Sequence, residues 1–380
     1  MNHTSRIIST YSADVFGVCS ALFELGGMII THDASGCNST YTTHDEPRWY
    51  DMESMVYISG LSEMEAIMGD DEKLISDIAA AAEDLHPRFI AVAGTPIPTM
   101  TGFDFAAVAE LIEQRTGIPS FGFPTTGMNT YIHGAGMALE AIARRFTDKS
   151  VTKTETPSAN ILGLTPLDFT VNGSDQSIVR FLEDSGYRVL SRWAMGSTLE
   201  ELAQAGRAHV NLVVSSSGLA AAKALKELFG TPYVIGVPMG DTYTALIRNA
   251  LTTAVLTGEN QFPISDVPNG DILIIGEAVT SLALASALEV SIGTGTIVLC
   301  PTECDSKLLR SKDLLLQSEE EIQLAMSRAK LVIADPLYQP ICPADVRFVK
   351  LPAESFSGRL YRQDIPNLIS AFRSFLNEVL

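Results

Sequence analysis

The residues of this chain best suited to chemistry are its few cysteines and the histidines beside them. Cys37 closes the turn His32-Asp33-Ala34-Ser35-Gly36-Cys37, directly after the apolar segment Gly26 to Thr31. Cysteine thiolates are ligands for iron and zinc. His32 and His44 flank this thiol, and imidazoles that titrate near neutrality suit the tuning of a metal group or the carriage of protons. His32 equally suits the plain task of capping a strand. Cys19 sits on an apolar stretch, where a free thiol reads either as a ligand or as a small buried hydrophobe. Cys300-Pro301-Thr302-Glu303-Cys304 places two thiols at the end of a strand-like run, where open α/β sheets bind ligands. Zinc usually takes two such pairs and only Cys342 remains, so the plainer reading is a surface-loop pair. Arg48, Trp49 and Tyr50 follow the Cys37 turn and read equally as a face for a substrate or electron donor and as packing beneath a loop.

Short β-branched runs alternating with amphipathic stretches must position these residues. The spacing predicts strands at Phe89–Gly94, Gly117–Gly122, Asn160–Leu164, Tyr187–Leu190, Val210–Ser215 and Pro232–Gly236. Further strands are predicted at Asp271–Gly276, Gly295–Leu299 and Leu331–Asp335. Helices are predicted over Phe105–Arg115, Asp175–Glu183, Leu219–Phe229 closed by Gly230, Val279–Leu288 and Glu319–Arg328. A hydroxyl cap opens another at Ser197–Leu202. A last helix is expected over Asp364–Leu380, with Pro366 in its first turn. The polar stretch Asp148 to Ala159 reads as a linker. The pattern implies an α/β protein of three Rossmann-like layers, near 1–155, 156–265 and 266–380, each a parallel sheet flanked by helices.

Composition agrees with a large buried core: 380 residues, 46% hydrophobic and 19% charged. Lys plus Arg number 26 against 45 Asp plus Glu, a formal charge of −19, and no basic cluster stands out, so a nucleic-acid partner is not expected. No apolar run reaches the ~18 residues of a membrane span, and the N-terminus does not read as a signal peptide. Five cysteines are too few for a disulfide framework and fit a cytoplasmic protein with reduced thiols.

Further motifs carry a resemblance. Ser59-Gly60-Leu61-Ser62-Glu63, followed by Gly69 and Leu74, matches an "s-x-L-s-E-x-x-x-x-x-G-x-x-x-x-L" element. Pro87 to Val92 and Gly102-Phe103-Asp104 match a "p-k-x-i-x-v … i-G-x-D" pair, and Ile118-Pro119 leads on to Gly127 and Gly134. Ala220 to Pro232 matches "a-A-x-x-L-e-x-x-f-G-i-P". In this order the sequence resembles the nitrogenase component 1 family, which includes nitrogenase subunits, cofactor-assembly scaffolds and protochlorophyllide reductase-like proteins. The resemblance implies three Rossmann-like domains and a metallocluster near a subunit interface.

Family members typically offer three cysteines to an iron–sulfur cluster. Cys37 matches one; the other two positions fall near Tyr11 or Ser12, ahead of the helix that Gly17 is expected to start, and at Pro96. Cys19 lies two residues beyond Gly17. The resemblance therefore implies a [4Fe–4S]-type cluster held between chains by Cys37 and possibly Cys19, with His32 beside it. The partner would be a second copy or a paralogous component 1 chain. An ATP-dependent, nitrogenase-reductase-like iron protein would deliver electrons, and an unsaturated or tetrapyrrole-like molecule would be reduced. No cysteine occurs between Cys37 and Cys300, so an iron–molybdenum cofactor held in the nitrogenase manner is not expected. Two other readings stay open. One is an assembly scaffold or carrier; the other is a cluster-free module that binds a small ligand or supports a catalytic partner.

Overall fold

Short buried aliphatic runs make the strands, and the chain sorts them into three all-parallel sheets. The structure, a computed structural model, describes residues 6–34, 45–268 and 270–380. The first sheet holds β1 (Met28–Thr31), β2 (Met55–Ile58), β3 (Ile90–Ala93) and β4 (Ser120–Phe123), in the order β2-β1-β3-β4. The second holds β5 (Ser158–Leu162), β6 (Arg188–Arg192), β7 (Val210–Val213) and β8 (Tyr233–Ile235), in the order β6-β5-β7-β8. The third holds β9 (Gly270–Ile275), β10 (Gly295–Cys300), β11 (Leu314–Leu315), β12 (Leu331–Ala334) and β13 (Arg347–Lys350), in the order β11-β10-β9-β12-β13. Every named strand pairing is parallel. The fold class is α/β, parallel sheets flanked by helices.

Each strand order reverses once, between β1 and β3, between β5 and β7, and between β9 and β12. Loops leaving the carboxyl ends of such neighbouring strands diverge to opposite faces and leave a crevice, the usual ligand position in open α/β sheets. Strand alternation sorts the flanking side chains. Ile29 joins Cys19 and the helix Asp14–Leu22 in one core cluster, while Met28 and Ile30 join Leu74, Ile75 and Ile78 on the other face.

The helices Asp14–Leu22 and Tyr131–Phe146 cross with their backbones in contact. A Cβ at Gly17 would stand 2.0 Å from the Tyr131 carbonyl oxygen, and one at Gly134 1.8 Å from that of Asp14. Two glycines of the family-like pattern therefore serve a close helix crossing. The first helix begins at Asp14, three residues before Gly17. Asp14 is fully buried and accepts hydrogen bonds from the backbone N–H groups of Thr126 (2.9 Å) and Gly127 (2.8 Å), tying down the loop after β4.

The sequence pattern misplaces one helix start. The last helix is Leu368–Val379, capped by Asn367, whose side chain accepts from Ile369 and Ser370 N–H groups at 3.2 and 3.3 Å; Pro366 lies ahead of the cap. Residues 358–364 form a separate 3-10 turn. In the linker region, β5 already begins at Ser158, and Lys153 is anchored by the carbonyls of Gly206 (3.1 Å) and Ala208 (2.6 Å).

Candidate functional site

Two of the three reversal points open on one cavity. Asp168 follows β5, Ser215 follows β7, Glu277 follows β9 and Asp335 follows β12. Asp168, Glu277 and Asp335 line the cavity together with Tyr131, the first residue of the helix that crosses Asp14–Leu22. The cavity holds about 760 Å³ of empty space, part of it open to solvent. Val237, Met239, Leu284 and Phe356 give it apolar walls.

Asp168 is the centre of a hydroxyl cage. Tyr131 donates to its Oδ1 at 2.5 Å, and Thr165 and Ser215 donate to its Oδ2 at 2.6 Å each. Burial, then the negative charge of Glu277, push the Asp168 carboxyl up to about 7, against the pull of the hydroxyl donors. The side chain nevertheless keeps a partly exposed face. Burial raises the Tyr131 phenol well above its ordinary range, with Asp168 and Glu277 adding to it.

Glu277 is more structural. It caps the helix Ala278–Ile292 through the N–H groups of Val279 (2.9 Å) and Thr280 (2.8 Å), and also accepts from Ser216 N–H at 2.9 Å, across to the second sheet. Asp335 accepts from the N–H groups of Leu337 and Ala353 and from the Ser357 hydroxyl, each at 2.8 Å, and burial raises its pKa. Among the described residues the lining holds three acids and no Lys, Arg or His. Such a site repels anions and accepts neutral or cationic molecules.

The third reversal point lies between β1 and β3, and β1 leads in sequence toward Cys37. Cys37 and His44 lie outside the described residues. Thr95, two residues beyond β3, donates to the His32 carbonyl at 3.1 Å and to Asp33 Oδ1 at 3.2 Å. The His32 ring lies against Phe103, centroids 4.4 Å apart, and its Nδ1 is 2.9 Å from the Ser59 hydroxyl. Burial pushes His32 down to about 4, so the ring is neutral at neutral pH.

Cys19 stands on the other side of β1. It is 2% exposed, its sulfur lies 3.8 Å from the Thr31 hydroxyl, and burial pushes its thiol up to about 12. Cys19 and His32 are thus not brought together. Pro96 opens the helix Pro96–Thr101, and Ser12 pairs with the Ser9 hydroxyl. Among the described residues no group of three or more His, Cys, Asp or Glu is arranged to hold a metal ion.

The stem that leaves the Cys37 turn is firmly held. Asp45 receives the Tyr11 hydroxyl and an ion pair from Arg359 at 3.0 Å. Arg48, 3% exposed, pairs with Glu24 and Glu46 at 2.8 Å each and donates to the carbonyls of Ala194 (2.6 Å) and Ser20 (2.9 Å). Arg48 is therefore buried and Trp49 packs against the core, while Tyr50 is exposed.

The helices Glu63–Met68 and Pro96–Thr101 and the loop after β4 carry an apolar rim. Met64, Ile67 and Met68 on the helix Glu63–Met68, Met100 on Pro96–Thr101, and Met128 after β4 are 69–87% exposed. The two helices pack together, and Gly127 lies close to Pro96.

Three parallel layers, two of whose reversal points open on one cavity, define a multi-layer α/β protein. The profile of the nitrogenase component 1 type oxidoreductases matches residues 14–263, well over half the sequence, and the chain belongs to that family. It is 28% identical over 190 residues to a light-independent protochlorophyllide reductase subunit of Nostoc punctiforme, covering 47% of this chain and 37% of that protein. It is 27% identical over 180 residues to the nitrogenase iron-molybdenum cofactor biosynthesis protein NifE of Clostridium pasteurianum, covering 47% and 38%. The matched stretch thus spans little more than a third of those curated relatives. A solved structure titled nitrogenase Cp1 at pH 6.5 superposes with a TM-score of 0.69 at 15% identity, covering 100% of this chain and 93% of that one. That likeness concerns the fold. No helix among the described residues is long and apolar enough to cross a membrane.

The three cavity acids were not singled out by sequence reasoning. Their signal is position: each follows a buried aliphatic run within a few residues, Leu162 to Asp168, Ile275 to Glu277 and Ala334 to Asp335.

Proposed function

We propose that this chain is a reductase subunit that binds a neutral or cationic unsaturated substrate in the Asp168 cavity. Cys37, together with thiolates of a second component 1-type chain, would hold a [4Fe–4S]-type cluster fed by an ATP-dependent iron protein. The observation that carries the reading is the cavity at two facing reversal points, walled by apolar side chains and holding a carboxyl poised near neutrality. When bound, the cluster supplies low-potential electrons. The chain's own part is to place the substrate against the apolar wall and to keep a proton on Asp168 Oδ2, ready for a reduced carbon or nitrogen. Thr165 and Ser215 hold that oxygen in place, and their hydroxyls rotate as the proton leaves. An anionic substrate is disfavoured beside three acids, which speaks against a carboxylated tetrapyrrole in this cavity.

A single chain does not fit a whole cluster. Cys19 is buried on the wrong face of β1 for a shared site with His32, and we assign it to packing. The exposed apolar rim supports a face for a partner chain. Anaerobic purification with iron and sulfide counting, alone and with a co-expressed paralogous chain, tests the reading. About four irons per two chains are expected, lost in Cys37→Ala. Metal-free protein from both preparations would replace this reading with the cluster-free module. A bound cluster that takes no electrons from the iron protein with ATP would replace it with the scaffold.

The rim makes a separate prediction. Met100→Glu adds a charge to a surface of an already acidic chain and is expected to weaken chain pairing at least tenfold, about 1.4 kcal/mol. Sedimentation equilibrium measures this; unchanged association would remove the rim from the interface.

A further inference from the structure

A second cavity lies on the first sheet, and none of its lining residues belongs to the Asp168 cavity. Met28, Ile30 and His32 alternate along one run of chain and so share a sheet face. Tyr57 joins that face, in register with Ile30. Across from them stand Leu74, Ile78 and Ala81, on one side of the helix Asp71–Leu85. The space between holds about 630 Å³, part of it open to solvent.

His32 is the polar group set into this apolar wall, and it is 6% exposed. Its Nδ1 lies 2.9 Å from the Ser59 hydroxyl, which also accepts from the Asp33 N–H at 3.1 Å and donates to the Asp33 carbonyl at 3.2 Å. A hydroxyl has one proton, so Ser59 keeps that carbonyl bond only if Nδ1–H donates to it. Nε2 is then the acceptor nitrogen of the ring. It has no partner among the described residues, and it is not sealed from solvent. A nearly enclosed acceptor without a partner is suited to an N–H donor that a ligand brings in.

The charged lining sets the sign of that ligand. Glu65, Asp70 and Asp77 stand against Lys73 alone. The Lys73 ammonium is taken up by Glu65 and Asp77 at 3.0 Å each, and its backbone N–H by Asp70 at 3.2 Å. Three carboxylates against one ammonium leave the rim negative, which attracts a cation and repels an anion.

We propose that this cavity binds a small protonated amine with an apolar body. The amine N–H reaches His32 Nε2, the hydrocarbon lies between the sheet face and Leu74, and the rim carboxylates balance the charge. Binding is reversible and forms no covalent bond. The site stands apart from the reading of the Asp168 cavity and does not depend on it.

The test is titration of the full chain, carrying ring-15N histidine, with benzylamine, benzyl alcohol and benzoate. Calorimetry gives affinities and the ring 15N signals report the site. Benzylamine is expected to bind with a Kd of about 1 mM, the range of a one-ring molecule, and benzoate at least about tenfold more weakly. Benzyl alcohol, a donor without charge, should fall between them. One of the six histidines should start as the Nδ1–H tautomer and shift its Nε2 signal as benzylamine saturates. No histidine among the described residues lines the Asp168 cavity, so this shift separates the two sites. His32→Phe keeps a ring but no acceptor; it should remove the shifting signal and weaken benzylamine at least about tenfold. Ala81→Leu fills the cavity from the helix side and should abolish the shift. Circular dichroism shows whether each variant is folded, and the wild-type titrations stand without them. Benzoate binding as tightly as benzylamine, an amine that binds without moving the His32 ring signals, or a shift that survives Ala81→Leu would each overturn the proposal.

Discussion

Arg48→Ala is expected to cost about 3–5 kcal/mol of folding stability, read as a lower midpoint in urea with an unchanged slope. The side chain is almost fully enclosed and serves two carboxylates and two carbonyls at once. Its guanidinium also lies over the Phe23 ring, 4.8 Å from the centroid. Removing it leaves Glu24 and Glu46 facing each other in a low-dielectric pocket without a counterion. That uncompensated burial, more than the lost attraction, makes the effect large. Arg48→Lys keeps the charge but not the planar fork, so an intermediate loss is expected. A loss under about 1 kcal/mol for the alanine variant, the range of an exposed ion pair, would show that solvent reaches the pocket. Because Arg48 fixes the stem behind the Cys37 turn to the Ala194 carbonyl in the second layer, iron content in the co-expressed complex should fall with it.

Asp168→Asn should change both the pH dependence of stability and turnover. The carboxyl rises from an ordinary value of 3.8 to about 7 on folding. Between those values the folded chain holds a proton that the unfolded chain has released, so stability falls as pH rises. The contribution is full below about 4 and gone above about 7. At about 1.4 kcal/mol per pKa unit, and with the cavity mouth admitting solvent, about 2 kcal/mol of this slope is expected in thermal melts from pH 4 to 8. Asparagine keeps an acceptor for Tyr131 and offers N–H groups to the rotatable hydroxyls of Thr165 and Ser215. The variant should melt with that part of the slope removed and exceed the wild type above pH 7. If Asp168 supplies the proton, turnover falls about 10²–10⁴-fold while substrate affinity stays near that of wild type. A variant with the wild-type slope would place the titration on another group, and one with full turnover would take Asp168 out of proton delivery.

Most sheet strands were legible because a buried parallel strand is a run of Val, Ile, Leu and Ala that little else in the chain imitates. Ile90–Ala93, Val210–Val213 and Leu331–Ala334 fall inside the predicted runs. The helix Leu219–Phe229 ends where Gly230 adopts φ 67°. Edges were harder. Arg347–Lys350 has the burial pattern of a sheet margin, and nothing in its residues distinguishes it from a loop. At the other end, Pro366 invites a helix start, but Asn367 holds two N–H groups with its side chain and moves the start beyond it. The plainer sequence reading of Cys300 and Cys304 as a surface-loop pair fails at Cys300, because its strand runs under the helix Ala278–Ile292 and buries it. The cavity was invisible for a different reason. Asp168, Glu277 and Asp335 are more than fifty residues apart from one to the next, and only the strand orders bring them to one place. Tyr131 needed even more: the glycine crossing at Gly17 and Gly134 sets the angle that carries its hydroxyl to Asp168.

Asp168 leaves the second sheet, while Glu277 and Asp335 leave the third. The spacing of the acids is therefore a matter of how two stiff bodies are seated against each other. Side chains on the seating surfaces, remote from the pocket, can turn one body by a few degrees and alter which molecule fits while every lining residue is retained. In a lineage of such chains, ligand preference can drift without a mutation at the pocket, and an unchanged pocket is then no guarantee of an unchanged ligand.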